Sequence, residues 1–247
     1  MRVIVIIPAA GLGTRMAAAA PGKGGLARAR KPAPSKQFID LCGTPILIHT
    51  LRQFAAVGAV SEIRVALRES EIVGFRKRLE KEAKDVLKKK LELVVGGETR
   101  QQSVENALRS AQAENDDVVL VHDAVRPLVS SEVIQCVIAA VQKHGAAIAA
   151  LPAVDTVKQV ERTSEGAVIK ATIPRAGIVL AQTPQGFRYS VLRKAFDEAA
   201  SDGFVGTDEA SLVERSGQEV VVVMGSARNL KITTPGDIEL AEFYLGR

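Results

Sequence analysis

The sequence predicts an α/β fold: a doubly wound, mostly parallel sheet with helices on both faces. Short β-branched runs alternate with helical segments along most of the chain. Those runs are nearly continuous in apolar residues, as strands covered on both faces are. The 247 residues, 47% apolar and 25% charged, are enough for one sizeable core, and at ~150 residues per domain they predict a single domain with at most an appendage.

Strands are expected at 2–7, 62–67, 91–95, 117–122 and 147–151, then at 178–181 and 219–224. The helices between them carry readable punctuation. Thr44-Pro45 suits a cap followed by a first helical position, with Gly58 at the far end. Ser130 or Ser131 opens a later helix that Gly145 closes. Thr207, followed by Asp208 and Glu209, suits another start with acids in the first turn, and Thr234-Pro235 opens the last. The run from Arg76 to Lys90 is interrupted by Glu80, Glu82 and Asp85 and reads as an exposed helix face with charge pairs three or four apart. Residues 155–173 break the rhythm. They read as a β-hairpin turning at Thr163-Ser164-Glu165-Gly166. An isolated hairpin is marginally stable, so this one is expected to pack on its own domain or to embrace a second subunit.

Composition excludes several functions. Cys42 and Cys136 form no C-x-x-C pair, and with His49, His122 and His144 as the remaining soft ligands a structural metal is not expected. No apolar stretch approaches the ~18 residues of a membrane span. The opening Val3-Ile4-Val5-Ile6-Ile7 is too short for a signal-peptide core. The expectation is a soluble, cytoplasmic protein, with no second enzyme domain after Arg247. Net charge is +5, unevenly placed: residues 1–39 hold seven cations and no acid, leaving 26 cations and 28 acids elsewhere. That stretch is a solvated basic loop or a site for a polyanion. It lacks the interleaved aromatics that stack bases, so nucleic acid is not the expected partner.

The first strand ends in Pro8-Ala9-Ala10-Gly11-Leu12-Gly13-Thr14-Arg15-Met16. Small residues at the carboxyl end of a strand let backbone N–H groups approach phosphate oxygens. It is no dinucleotide fingerprint, because Met16 occupies the third glycine position, and no Walker loop, because no Gly-Lys-Ser/Thr follows. Together with the downstream Ser35-Lys36-Gln37, it places an arginine and a lysine near a phosphate loop, which suits phosphoryl or nucleotidyl transfer.

Eight ordered blocks then give a resemblance. They are Pro8-Ala9-Ala10-Gly11-x-Gly13-x-Arg15-Met16, Lys36-Gln37-Phe38, Gly96-Gly97-Glu98-x-Arg100-x-x-Ser103-Val104, Val121-His122-Asp123-Ala124-x-Arg126-Pro127, Asp155-Thr156-x-Lys158, Gln182-Thr183-Pro184-Gln185, Thr207-Asp208-Glu209-Ala210-Ser211 and Asn229-x-Lys231-Ile232-Thr233. From Val3 to Leu245 the chain resembles the 2-C-methyl-D-erythritol 4-phosphate cytidylyltransferases of the non-mevalonate isoprenoid pathway. The resemblance implies a Rossmann-like nucleotidyltransferase domain over 1–247, and attack of the acceptor phosphate on the α-phosphorus of CTP. The nucleophile is already an anion, so the chemistry needs positioning and positive charge rather than a base.

By that resemblance Arg15, Lys36, Arg175 and Lys231 are the catalytic cations. CTP is met by Ala9, Ala10, Gly11, Gly13, Thr14, Gly97, Glu98 and Ser103, with Gly97 letting the base approach. The acceptor is met by Asp123, Arg126, Thr156, Thr183 and Thr207. Magnesium bridges the triphosphate oxygens, with Asp123 as its candidate protein ligand. Arg100 is either structural or a phosphate contact, and Ser103 either reads the pyrimidine or is a plain helix-face hydroxyl. His122, which alternation points away from Asp123, is expected to be packed rather than catalytic. The hairpin becomes a dimerisation arm completing the site of a partner subunit in a homodimer.

The chain departs from the family pattern in three places. A long basic stretch, Ala20 to Lys31, lies between Met16 and Lys36; Ser35 stands where proline is common; and Val179 stands where an aromatic is frequent. Residues 17–35 are accordingly expected to form a mobile basic lid over the triphosphate. The alternative acceptor is ribitol 5-phosphate. The alternative in kind is a catalytically silent nucleotide-binding subunit.

Overall fold

The computed structural model describes residues 1–11, 35–164 and 166–246. The expected lid over 17–35 lies outside the described residues except for Ser35, as do Gly13, Thr14 and Arg15.

Strand β1 (Val3–Pro8) is the hub. Its Val-Ile-Val-Ile-Ile run pairs in parallel with β4 (Glu62–Leu67) on one side and β6 (Val118–Val121) on the other. Buried on both faces, it needs apolar residues at every position. Alternate residues serve opposite cores. Val5 and Ile7 pack with helices α1 (Ile46–Ala55), α2 (Glu69–Glu82) and α4 (Ser131–His144). Ile6 faces α3 (Arg100–Ser110), α5 (Tyr189–Asp202) and α6 (Glu209–Arg215). This is the expected double winding. A third cluster joins Leu41 and Ile46 to Ile232 and to Ala241 of α7 (Pro235–Leu245).

Among the described residues the main sheet has seven strands in the order β11-β7-β10-β6-β1-β4-β5. Here β5 is Lys90–Val95, β7 Ala146–Pro152, β10 Val179–Arg188 and β11 Val221–Met224. All neighbours are parallel except β10, which runs antiparallel to both β6 and β7. The sequence reading ended this strand at 181. It continues to Arg188 because the register shifts between Ala181 and Gln185, and Pro184 falls in the shifted stretch, where no ladder donor is needed.

Two helix starts differ from expectation. Thr44–Pro45 is not the start of α1 but strand β3, paired with β2 (Asp40–Leu41). Cys42 and Gly43 between them both have positive φ, as a two-residue hairpin loop demands. Helix α1 therefore begins at Ile46, and it ends at Ala55, before Gly58. The cap of α6 is Asp208 rather than Thr207. Its carboxylate accepts from the Ser211 N–H at 3.0 Å, which a residue one position earlier cannot reach. Ser130 caps α4 as read, and Asp237 reaches back to the N–H groups of Thr233 and Thr234 at the start of α7. In α2, Arg78 pairs with Glu82 one turn on, but the helix ends at Glu82 and the basic run continues outside it.

The hairpin is β8 (Val157–Thr163) with β9 (Gly166–Ile173), a separate two-stranded sheet. Val160, Val168 and Ile169 on it are exposed.

Candidate functional site

The carboxyl ends of β1, β5 and β6 open onto a common cleft, where parallel sheets present ligands. Its cavity, about 190 Å³, is lined by Pro8 to Gly11, Lys36 and Gln37, Gly97 to Arg100 with Ser103, Asp123 to Val125, and Lys231. A second cavity of about 130 Å³ adjoins it, lined by Arg126, Gln182, Thr183, Gln185, Thr207 and Asp208. Arg100, Asp123 and Lys231 line both and so form the seam between them.

Most expected nucleotide contacts therefore share one cavity, and Thr183, Thr207 and Arg126 share the other with Lys231. Two expected residues do not join them. Thr156 and Arg175 lie exposed at the base of the hairpin and line neither cavity, and Arg175 donates to the carbonyl of Val154. Within one chain, the acceptor cations expected at Arg175 and Lys231 are not brought together.

The seam is a charge network. Lys231 Nζ lies 2.9 Å and Arg126 Nε 3.2 Å from Asp123 Oδ2, while Arg100 Nε lies 3.5 Å from Oδ1. Burial alone would raise the Asp123 carboxyl, but Lys231 and Arg100 outweigh it and hold the group far below the usual carboxylate range. Asp123 is an anion at any working pH. Arg100 in turn grips Glu209, with Nη1 donating to both carboxylate oxygens at 2.7 and 2.9 Å. Burial pushes Glu209 up against the opposing pull of Arg100. Arg126 is anchored by donating from Nη1 to the Asn229 carbonyl at 2.7 Å.

His122 backs this seam. It is fully buried, edge-on to Phe54, with Nε2 at 3.1 Å from the Arg126 carbonyl and Nδ1 at 3.0 Å from Thr183 Oγ1. Thr183 Oγ1 also accepts from the Asp123 N–H at 3.1 Å. A carbonyl only accepts, so Nε2 carries the proton and the Thr183 hydroxyl donates to Nδ1. Burial lowers the imidazole to about 4, so it is neutral and packed, as the alternation of β6 implies.

On the nucleotide side, Thr99 and Gln102 form a reciprocal capping box at the start of α3. The Gln102 side-chain oxygen accepts from the N–H groups of Glu98 and Thr99 at 3.0 and 3.2 Å. Gly97 lines the cavity, and its own helix adds a demand for glycine there: a Cβ would meet Gln102 Cβ at 2.3 Å. Ser103 is no idle helix-face hydroxyl: Oγ accepts from the Gly97 N–H at 3.1 Å and donates to the Thr99 carbonyl at 2.9 Å. The sequence reading passed over Gln102, Gln182, Gln185, Glu209 and Asn229 as working residues. For Gln182 and Gln185 a signal was available, since with Thr183 they are polar positions in the buried stretch of β10 and therefore require partners.

Among the described residues no group of three or more His, Cys, Asp or Glu side chains could hold a metal. A single ionised carboxylate, with Oδ1 held only at 3.5 Å, does fit magnesium, which binds one or two carboxylates and takes its remaining ligands from phosphates and water.

Comparison with known proteins agrees with this geometry. The family model described as 2-C-methyl-D-erythritol 4-phosphate cytidylyltransferase matches residues 3–247. The chain is 58% identical over 245 residues to the protein of that name from Acidobacterium capsulatum, covering 99% of this chain and 98% of that one. It is 48% identical to the one from Solibacter usitatus, covering 99% and 96%. Among solved structures, the cytidylyltransferase of Francisella tularensis superposes with a TM-score of 0.78 at 36% identity, over 98% of this chain and 99% of that one. That of Thermus thermophilus gives 0.74 at 32%, with full coverage of both.

Proposed function

This chain belongs to the 2-C-methyl-D-erythritol 4-phosphate cytidylyltransferase family, and from that membership we infer that it transfers the cytidylyl group of CTP to 2-C-methyl-D-erythritol 4-phosphate. A phosphate oxygen of the acceptor forms a bond to the α-phosphorus of CTP. The bond from that phosphorus to the β-bridging oxygen breaks, and pyrophosphate leaves with the electron pair. The nucleophile arrives ionised, so no proton is moved.

The observation that carries the assignment of the site is the seam. Lys231, Arg100 and Arg126 converge on one buried carboxylate between a cavity lined by the Ala9–Gly11 loop and a cavity lined by Thr183 and Thr207. Two polyanions that meet in-line need fixed cations where their charges crowd. We assign Lys36 and Arg15 to the α-phosphate and leaving group, and Lys231, with Arg175, to the acceptor phosphate. Ser103 has spent its proton on Thr99 and one lone pair on Gly97. Its remaining lone pair accepts from the amino group of cytosine, which uracil lacks. Asp123 and the triphosphate oxygens would hold magnesium, which supplies charge neutralisation across the phosphates.

We extend the reading to a homodimer in which the hairpin of one subunit brings Thr156 and Arg175 to the acceptor cavity of the other. The exposure of Val160, Val168 and Ile169 supports it, as does the fact that Thr156 and Arg175 line neither cavity of their own chain. The cytoplasm is the compartment that suits the exposed free thiols of Cys42 and Cys136.

Pyrophosphate release from CTP and magnesium tests the reaction, with methylerythritol phosphate and ribitol 5-phosphate offered separately. Release with the first alone is expected. Release only with the second would overturn the acceptor while leaving the cytidine site. Silence with both would favour a subunit that binds nucleotide without turnover.

A further inference from the structure

Ser35, the residue that departs from the family pattern immediately before Lys36, is built into a bridge. It is buried, and its Oγ donates to Glu71 Oε1 at 2.6 Å. The same oxygen accepts from Arg68 Nη2 at 3.1 Å, and Arg68 Nε donates to the Ala10 carbonyl at 2.9 Å. Arg68 thus ties Ala10, two residues past β1, to the residue adjoining Lys36. It sits where β4 passes into α2, two rigid elements that fix its backbone. Arg68 lines neither cavity, whereas Ala10, Gly11 and Lys36 line the first.

The geometry has a consequence for the backbone. In a trans peptide the C=O of one residue and the N–H of the next point in opposite directions. Holding the Ala10 carbonyl on Arg68 therefore turns the Gly11 N–H away from Arg68, and Gly11 lines the first cavity while Arg68 does not. Gln37 fixes the preceding peptide by donating from Nε2 to the Ala9 carbonyl. Both peptides are thereby held before any ligand arrives.

We propose that Arg68, acting through Ser35 and Ala10, is a positioning residue for nucleotide binding: a clasp that sets Lys36 and the Gly11 N–H against the triphosphate of CTP. This rests on the assignment of Lys36 to the triphosphate made above. A guanidinium is required because two separate acceptors are met from one planar fork, which the single ammonium of lysine cannot span.

The test is steady-state pyrophosphate release by Arg68→Ala, Arg68→Lys, Ser35→Ala and Lys36→Ala, with melting temperatures measured alongside. Loss of a charged hydrogen bond predicts a rise of about tenfold in KM for CTP in both Arg68 variants. KM for methylerythritol phosphate should not change, a split that general loosening of the fold would not produce. Ser35→Ala should show a smaller rise of the same kind. Combined with Lys36→Ala, the Arg68→Ala change should add little, because its effect passes through Lys36 and its neighbours. An unchanged KM for CTP in Arg68→Ala, equal rises for both substrates, or full function in Arg68→Lys would each overturn the clasp. If Lys36→Ala itself leaves catalysis intact, the assignment of Lys36 fails, whatever Arg68 does. Should Arg68→Ala fail to fold, Ser35→Ala and Arg68→Lys carry the test.

Discussion

At the cleft, Asp123 and Glu209 are buried acids that find their cations inside the chain. Along the hairpin, Val160, Val168 and Ile169 are apolar side chains that face outward. The two regions pose opposite problems. A buried charge without a partner is costly enough that this charge network is assembled within one chain, down to the Asn229 carbonyl that anchors Arg126. An exposed apolar strand pair gains stability where something covers it. The charge network of the cleft is therefore prebuilt, whereas the arm leaves apolar surface uncovered within its own chain.

The sharpest way to break this contrast is to separate the two regions onto different subunits. Lys36→Ala, in the cleft, and Arg175→Ala, at the arm, should each lower turnover by about 10²-fold or more. Mixed after dissociation and reassociation, the two inactive proteins should regain about a quarter of wild-type activity, because half of random dimers are hybrids with one intact site. No recovery would mean that the arm serves the cleft of its own chain.

A second measurement probes the cleft alone, through acid. His122 is held near 4 by burial, whereas an unfolded histidine titrates near ~6.5. Between these values the unfolded chain binds a proton that the native chain refuses, so stability falls as pH drops from ~6.5 to ~4, by an amount on the order of 3 kcal/mol. Asp123, depressed by its cations, acts in the same direction below ~4, and Glu209, raised by burial, acts oppositely above ~4.5. Denaturant melts of wild type and His122→Gln isolate the histidine. The variant should lose most of the slope in that window, and identical slopes would contradict the assignment.

The smallest effect belongs to the surface. Arg78 makes ion pairs with Glu82 and Asp40 at 2.8 Å each, yet all three side chains are partly or largely solvated. Arg78→Ala should change stability by about 0.5 kcal/mol or less, measured by urea titration. A large loss would mean that the contrast between buried and exposed charge has been drawn too strongly.

Much of the site could be read from residue types. The Ala9-Ala10-Gly11 turn, Gly97 to Ser103 and Asp123 fall at strand ends and a helix start that the apolar runs already locate, Lys36 and Lys231 were legible from their motifs, and the structure gathers them into one cleft. His122 was legible as packed because strand alternation is local. What could not be read were the partners. Nothing near Glu209 in sequence announces Arg100, 109 residues away, or that Asn229 would offer its carbonyl to Arg126. The packing of Gly97 against Gln102 was equally invisible, and Thr44 was read as a cap because the positive φ of Cys42 is not written in residue type.

By itself, then, the sequence determined the double winding, since runs buried on both faces must be apolar throughout, and it determined the family, since eight motifs in order carry it. The tertiary structure decided how the charges pair, which side chains hold the Ala9 and Ala10 carbonyls, and that Arg175 lines neither cavity of its own chain. Periodicity and capping act over a few residues and leave a mark in the local sequence. Ion pairs and buried hydrogen bonds join residues that only the completed fold brings within 3 or 4 Å.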